Sequence, residues 1–457
     1  MLNIKRKLQH TLNFVGFGGM LLLIAYSSVL FLLIDCSSGW VQPEVYRWKS
    51  YIVNNIPFDL PSIMAEGFNW RVFEIAERLT RPLSSSFEIA DTYFRGLVWN
   101  YFPPMPSLSL TFIFSLILGP IFFYKFCLNL GIRKNIAKTA LAYMLVHQGY
   151  LSLIFMYFRP AKAMINFLLI FILYLCSRIN IHIMKNESIP KLKIGAIYSL
   201  IFTAFFFDET ALIIIVAILI LFPKLVFGCY KRFLLGAATL CAAGLSYLYL
   251  LPTIAGFLGF GSPNLLKYEV LSQQSNPIWA LKGVKNLLFM NILTNTRLAL
   301  IESFQLFNPF QYQSLAQILL SIFLFTSVII LIVFFCFALF RKKYYFFYKP
   351  LIYQTMFCLF FALAINNFLL NISSSYEGRV WGLYWYGTYI SIFFSFFIAG
   401  ALEEIAKQSA QISKLSLFGY VLQINILKAA SWSFVSLCII LSILNFKYIN
   451  CATHTLH

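Results

Sequence analysis

Charge is scarce in this 457-residue sequence. Only 11% of the residues are Asp, Glu, Lys or Arg, against roughly a quarter in a soluble domain. With 60% of the chain hydrophobic, that deficit argues against an ordinary water-facing fold. Paired cysteines are missing too. The nine cysteines form no CxxC pair, and most, among them Cys176, Cys241, Cys336, Cys358 and Cys438, fall inside apolar runs. They read as small buried residues, which excludes a disulfide framework and a cysteine metal site. The five histidines include no HExxH spacing, and no GxGxxG or Walker pattern occurs. Short alternating segments of about 10 residues, the signature of a membrane β-barrel, are absent as well.

What is abundant is apolar sequence in runs close to the roughly 20 residues that cross a bilayer as a helix. The fold class expected is all-α: a polytopic membrane protein with about eleven transmembrane helices, forming a single domain over 1–457. The spans fall near 13–34, 107–124, 139–157, 163–178, 194–207, 211–223, 233–252, 315–340, 350–370, 381–400 and 427–446. The first run is too long for a signal-peptide core and no small-residue cleavage site follows before Asp35, so it is expected to be retained. The 194–223 region reads either as two short spans or as a re-entrant hairpin. Residues 401–426 read as an interfacial helix. The 50 phenylalanines and 26 tyrosines suit bilayer-facing and interfacial surface.

Net charge is +19, which on a soluble protein would suggest nucleic acid. Its distribution says otherwise. Alternating the spans from a cytoplasmic N-terminus places 21 of the 35 basic residues, but three of the 16 acids, on the inner side. Every short inner loop is basic, as the positive-inside rule requires. The expected location is an integral membrane position, by size and style the bacterial inner membrane, with membrane lipids and no nucleic acid as partners.

The outward segments are then 35–106, FRPAK at 158–162, DET at 208–210, 253–314, and NISSSYEGRVWG at 371–382. The first is patterned rather than loose. Ile63, Phe68, Val72, Phe73 and Ile75 recur near helical spacing, and Phe87, Ile89, Phe94, Leu97 and Val98 repeat the pattern after a candidate cap at Ser84–Ser86. These predict one or two amphipathic helices at the outer surface. Arg159 and Lys162 share a minimal outer turn, where positive charge opposes the orientation rule, and Arg379 lies in an aromatic run with Glu377. Such cations suit a phosphate or pyrophosphate. Asp208 and Glu209 stand at the tip of the DET turn. They are expected either to pair with outer basic residues, to end a span in water, or to serve chemistry.

The layout of a long, partly helical outer loop after the first span, with acids in it and charged short outer turns later, resembles the GT-C class of polytopic glycosyltransferases. The pieces that carry the resemblance are LIDCSSGWVQPEVYRW at 34–48, FRPAK at 158–162 and FFFDET at 205–210. The resemblance implies transfer of a sugar from a polyprenyl-phosphate carrier to a glycan, lipid or protein acceptor at the outer, periplasmic face. It implies a base in the early outer loop, for which Asp35 and Glu44 stand at matching positions and Asp59 is a third choice. Asp208 and Glu209 join these as catalytic candidates, with Arg159, Lys162 and Arg379 as phosphate ligands. An interfacial cation stabilises the leaving phosphate and a carboxylate accepts the acceptor's proton. A divalent cation on Asp208 and Glu209 stays open, since no full ligand set is visible. Three other classes remain, one of them a non-enzymatic membrane scaffold, which nothing in the sequence excludes. An envelope polysaccharide polymerase or ligase would use 253–314 as its main outer loop. A polyprenyl-linked glycan flippase or other transporter would need mid-span charge and repeated halves, and neither is evident.

Overall fold

The computed structural model describes residues 51–68, 82–101, 108–146, 150, 160–260, 351, 354–359 and 388–412. Every regular element among them is helical. The expected spans at 13–34, 315–340 and 427–446 lie outside the described residues, as does the second outer loop 253–314 beyond residue 260.

Two short elements come from the first long loop. Helix α1, Leu60–Gly67, is capped by Asp59. One Asp59 oxygen accepts from Ser62 N at 2.8 Å and the other from the Ser62 hydroxyl at 2.8 Å, and Pro61 suits the first helical turn. Helix α2, Pro82–Tyr101, starts before the expected serine cap. Its proline pre-sets the helical φ, so Ser84–Ser86 sit inside its first turn, and Ser86 donates to Ile63 O at 3.1 Å. Ile52, Ile56, Ile63 and Ile89 bury one another beneath Tyr93 as a small separate core. Of the amphipathic pattern seen in the sequence, Ile63, Ile89 and Val98 face inward and Leu97 is exposed, while Val72, Phe73 and Ile75 lie outside the described residues.

The main core begins at α3, Leu110–Asn129, which Ser109 caps through Phe112 N at 3.0 Å. Its middle, Ile113–Leu118, is a π-helical turn directly before Pro120. A proline lacks the donor for the carbonyl one turn back and crowds it, and a widened turn relieves both. The same device recurs where Tyr230–Leu245 continues through the π turn Ser246–Leu250 into Leu251–Phe257, with Pro252 following. Helix α3 ends on Gly131 at φ +81°, whose N–H and that of Ile132 close a Schellman pair onto Leu128 O and Cys127 O.

After that turn come α4, Lys134–Val146, and α5, Pro160–Met184. Then follow α6, Lys191–Phe207, a 3-10 turn at Glu209–Ala211, α7, Leu212–Leu221, and α8, Pro223–Phe227. We call the run from Tyr230 to Phe257 α9; α10 is Thr388–Ile412. Among the described residues two helices are long and apolar enough to cross a membrane, Leu110–Asn129 and Lys162–Met184.

Helices α3 and α5 run parallel. Phe114 meets Phe167 at 4.9 Å, Phe122 meets Phe171 at 4.7 Å, and Asn129 donates to Ser177 at 2.9 Å. Partners rise together along both helices, so α4 must return the chain between them. Helices α4 and α10 are antiparallel: Tyr143 lies 5.7 Å from Phe394, while Arg133 meets Glu403 at 3.3 Å. That contact explains why α10 runs on to Ile412 rather than breaking near residue 400 into the expected separate interfacial helix. Glu403 is 3% exposed, and its carboxylate accepts from Arg133 Nε and, at 2.9 Å, from Arg133 N. The partner is 270 residues away in sequence. The 194–223 region is two helices, α6 and α7, joined at Asp208 and the 209–211 turn, an arrangement common to both expected forms.

Candidate functional site

The site grows from how α6 ends. Phe202, Phe205, Phe206 and Phe207 carry the helix to Asp208, whose backbone is extended at φ −168° and ψ 143°. Its side chain then starts the next turn. Asp208 Oδ1 accepts from Thr210 N at 2.9 Å and from the Thr210 hydroxyl at 2.6 Å. This local capture is typical of an aspartate two residues before the N–H it caps.

A third donor comes from another helix. Lys162, in the first turn of α5, places Nζ 2.8 Å from Asp208 Oδ1 and 3.5 Å from Thr210 Oγ1. Both side chains are buried, at 1% and 2% exposure. Of the three readings the sequence leaves for Asp208, pairing with a basic residue from another outward turn is the one the geometry matches, and the tip is packed against α5 rather than standing in water. Phe87 of α2 sits 6.0 Å from Phe207 and 6.2 Å from Phe114, so α2 reaches the residue before Asp208. A charge at this depth is tolerated only because it is paired and hydrogen-bonded.

Helix α2 adds a second buried carboxylate that sequence reasoning missed. Asp91 is 1% exposed. It accepts from Thr111 N at 2.9 Å, tying α2 to the start of α3, and meets Arg95 Nε at 3.2 Å one turn on. The i,i+4 spacing of Asp91 and Arg95 was the available signal.

Three more polar atoms are buried at this end. Thr111 Oγ1, Ser115 Oγ and Asn166 Oδ1 have no hydrogen-bond partner among the described residues. Ser115 O accepts from the Tyr150 hydroxyl. A side chain added at Gly119 would reach Ile170 Cδ1 at 3.8 Å; one turn earlier on the parallel helices, Ser115 and Asn166 therefore stand at the same level. The polar groups of this core thus concentrate at one end of α3, α5 and α6.

Of the sequence candidates, Lys162 and Asp208 are brought together. Asp59 is spent on capping α1. The backbone of Glu209 lies in the turn after Asp208. Asp35, Glu44, Arg159 and Arg379 lie outside the described residues. Among the described residues no three His, Cys, Asp or Glu side chains gather as for a metal ion; the cation facing Asp208 is the Lys162 ammonium.

At the opposite end the charged groups are different ones. Arg133 meets Glu403, and His182 Nδ1 lies 2.7 Å from Glu187. Cys229 stands at the N-cap position of α9 without a side-chain capping bond, and its thiol is held below the ordinary thiol range. The backbone N–H of Arg232 is the main cause, then that of Lys231, with the Arg232 side chain adding to them.

No protein-family model matches the chain, and no curated protein matches it.

Proposed function

We propose that the chain is an integral membrane protein of about eleven spans with a cytoplasmic N-terminus, placed in a bacterial inner membrane. In this reading it is a GT-C-like glycosyltransferase. It moves a sugar from a polyprenyl-phosphate carrier to a glycan, lipid or protein acceptor at the outer face. The observation that carries the reading is the buried Lys162–Asp208–Thr210 cluster beside α2, the helix of the first long loop. Polar groups collect where the proposed chemistry needs them, at the outer ends of the spans and beneath the outer loop.

The helix directions support the topology. Parallel α3 and α5 around a returning α4, and antiparallel α4 and α10, are the senses that alternating spans require. So does the segregation of charge: Arg133–Glu403 and His182–Glu187 join residues assigned to the inner side, and Lys162–Asp208 and Asp91–Arg95 join residues assigned to the outer side. Charge at span ends rather than midway also favours a transferase over a transporter.

The roles divide as follows. Asp208 already accepts three donors on Oδ1, so in this proposal the Lys162–Asp208 pair positions the 158–162 turn. Arg159 and Arg379 hold the donor phosphate and stabilise its charge as the bond to the anomeric carbon breaks. Asp35 or Glu44 takes the proton from the acceptor hydroxyl.

The test is transfer from a radiolabelled polyprenyl-phosphate sugar in membranes carrying the full chain. Asp35→Asn or Glu44→Gln is expected to lower turnover by about 10²-fold or more, the usual worth of a general base. Arg159→Gln is expected to raise KM for the donor. Full turnover in both carboxylate variants would overturn the assignment of the base.

A further inference from the structure

The structure assigns a site for an anionic phospholipid at the end of the molecule opposite the polar cluster. This inference rests on the membrane reading above. A cleft of about 310 Å³ opens between α6, α7, α8 and α9. Its walls are apolar, with Ile197, Ile201, Ile218, Leu225, Phe233 and Ala237 among them. Tyr198 crosses one side and donates to Arg232 O at 2.9 Å, which leaves its ring against Gly236.

One rim of the cleft is cationic. Lys191 and Lys193 precede Ile194 on α6, Lys224 precedes Leu225 on α8, and Lys231 and Arg232 precede Phe233 on α9; Ile194, Leu225 and Phe233 all line the cleft. The four lysines are exposed. Arg232 is half-buried, and its Nη1 has no hydrogen-bond partner among the described residues. From 188 to 260 the only acids are Asp208 and Glu209, at the far end of the hairpin. Glu187, the nearest acid before Lys191, is taken by His182. An apolar slot whose lining on α6, α8 and α9 starts within three residues of five cations matches a molecule with a hydrocarbon tail and an anionic head. The rim lies on the side assigned to the cytoplasm, away from the outer site of the proposed sugar carrier. The occupant is therefore a phospholipid of the inner leaflet rather than the carrier.

The test uses the full-length protein in nanodiscs and two photoactivatable lipids with the reactive group on the acyl chain, phosphatidylglycerol and phosphatidylcholine. The expected result is preferential labelling of 194–201 and 233–240 by phosphatidylglycerol, by at least about fivefold, the effect of one basic residue near an anionic surface. Replacing Lys191, Lys193, Lys224, Lys231 and Arg232 together by Gln removes the preference while leaving phosphatidylcholine labelling unchanged. Ala237→Phe, which fills the slot, lowers phosphatidylglycerol labelling severalfold. Equal labelling by both lipids in the wild-type protein overturns the proposal, as does a preference that survives the quintuple variant. An unlabelled cleft means a segment of the chain fills it, which is equally fatal. Stronger competition by polyprenyl phosphate than by phosphatidylglycerol reassigns the slot to the carrier. Release of the protein from membranes by alkaline carbonate would instead refute the membrane reading itself, whatever the probes do.

Discussion

Asp208 shows how a single residue changes meaning between sequence and structure. In the sequence it stands beside Glu209 between apolar runs, and the charge census assigns both to a solvated tip. In the structure Asp208 is enclosed, and its charge is answered by a lysine 46 residues earlier. Nothing local announces that partner, because Lys162 reaches it only once α5 and α6 have packed. What was legible is the D-x-T pattern, whose side chain caps its own turn. Removing one member of a buried pair leaves the other uncompensated. Asp208→Ala and Lys162→Met are each expected to destabilise the protein by about 3–5 kcal/mol. Denaturation in detergent measures this, and joining Lys162→Met to Asp208→Leu should recover most of the loss. Cys229 offers a second residue-scale test. A thiol held low is thiolate at lower pH, so its alkylation rate should level off earlier than the midpoint near 8.5 of a free thiol. A pH–rate profile for Cys229 alkylation that coincides with that of free cysteine would contradict the influence of the Lys231 and Arg232 N–H groups on the thiol.

At the scale of elements, spacing served well where the partner is near. The helical repeat around 87–98 predicted α2, and the break at 208–210 predicted the division between α6 and α7. Boundaries failed where the deciding partner is distant. Helix α10 overran its expected end because Glu403 docks on the start of α4, and α2 began at Pro82 because proline suits a first helical turn better than the serines after it. The seam between α1 and α2 is close. A Cβ on Gly67 would fall 2.1 Å from Ser86 Oγ and 2.6 Å from Pro82 O. Gly67→Ala should therefore part the two helices at a cost of about 1–3 kcal/mol, seen as faster amide exchange over 51–67. Asp91→Ala removes the acceptor for Thr111 N and should free α2 from α3 by a similar amount. Unchanged exchange across 82–101 in that variant would show that α2 is held by its aromatic contacts alone.

For the whole molecule, two features of sequence, the basic inner loops and the apolar runs, anticipate helices that alternate in direction. The described helices pair in the senses that alternation demands, and their charged residues gather at the ends. The candidate site was legible only as a set of outward turns. Which turns converge depends on packing between α2, α3, α5 and α6 that no spacing rule encodes. The central claim is that this assembly transfers a sugar on the outer side of a membrane. Sealed vesicles of the two orientations test it, given a polyprenyl-phosphate sugar in the lipid and a membrane-impermeant acceptor outside. Right-side-out vesicles should transfer the sugar directly, and inverted vesicles only after permeabilisation. Transfer by sealed inverted vesicles, or by neither preparation, would contradict the account.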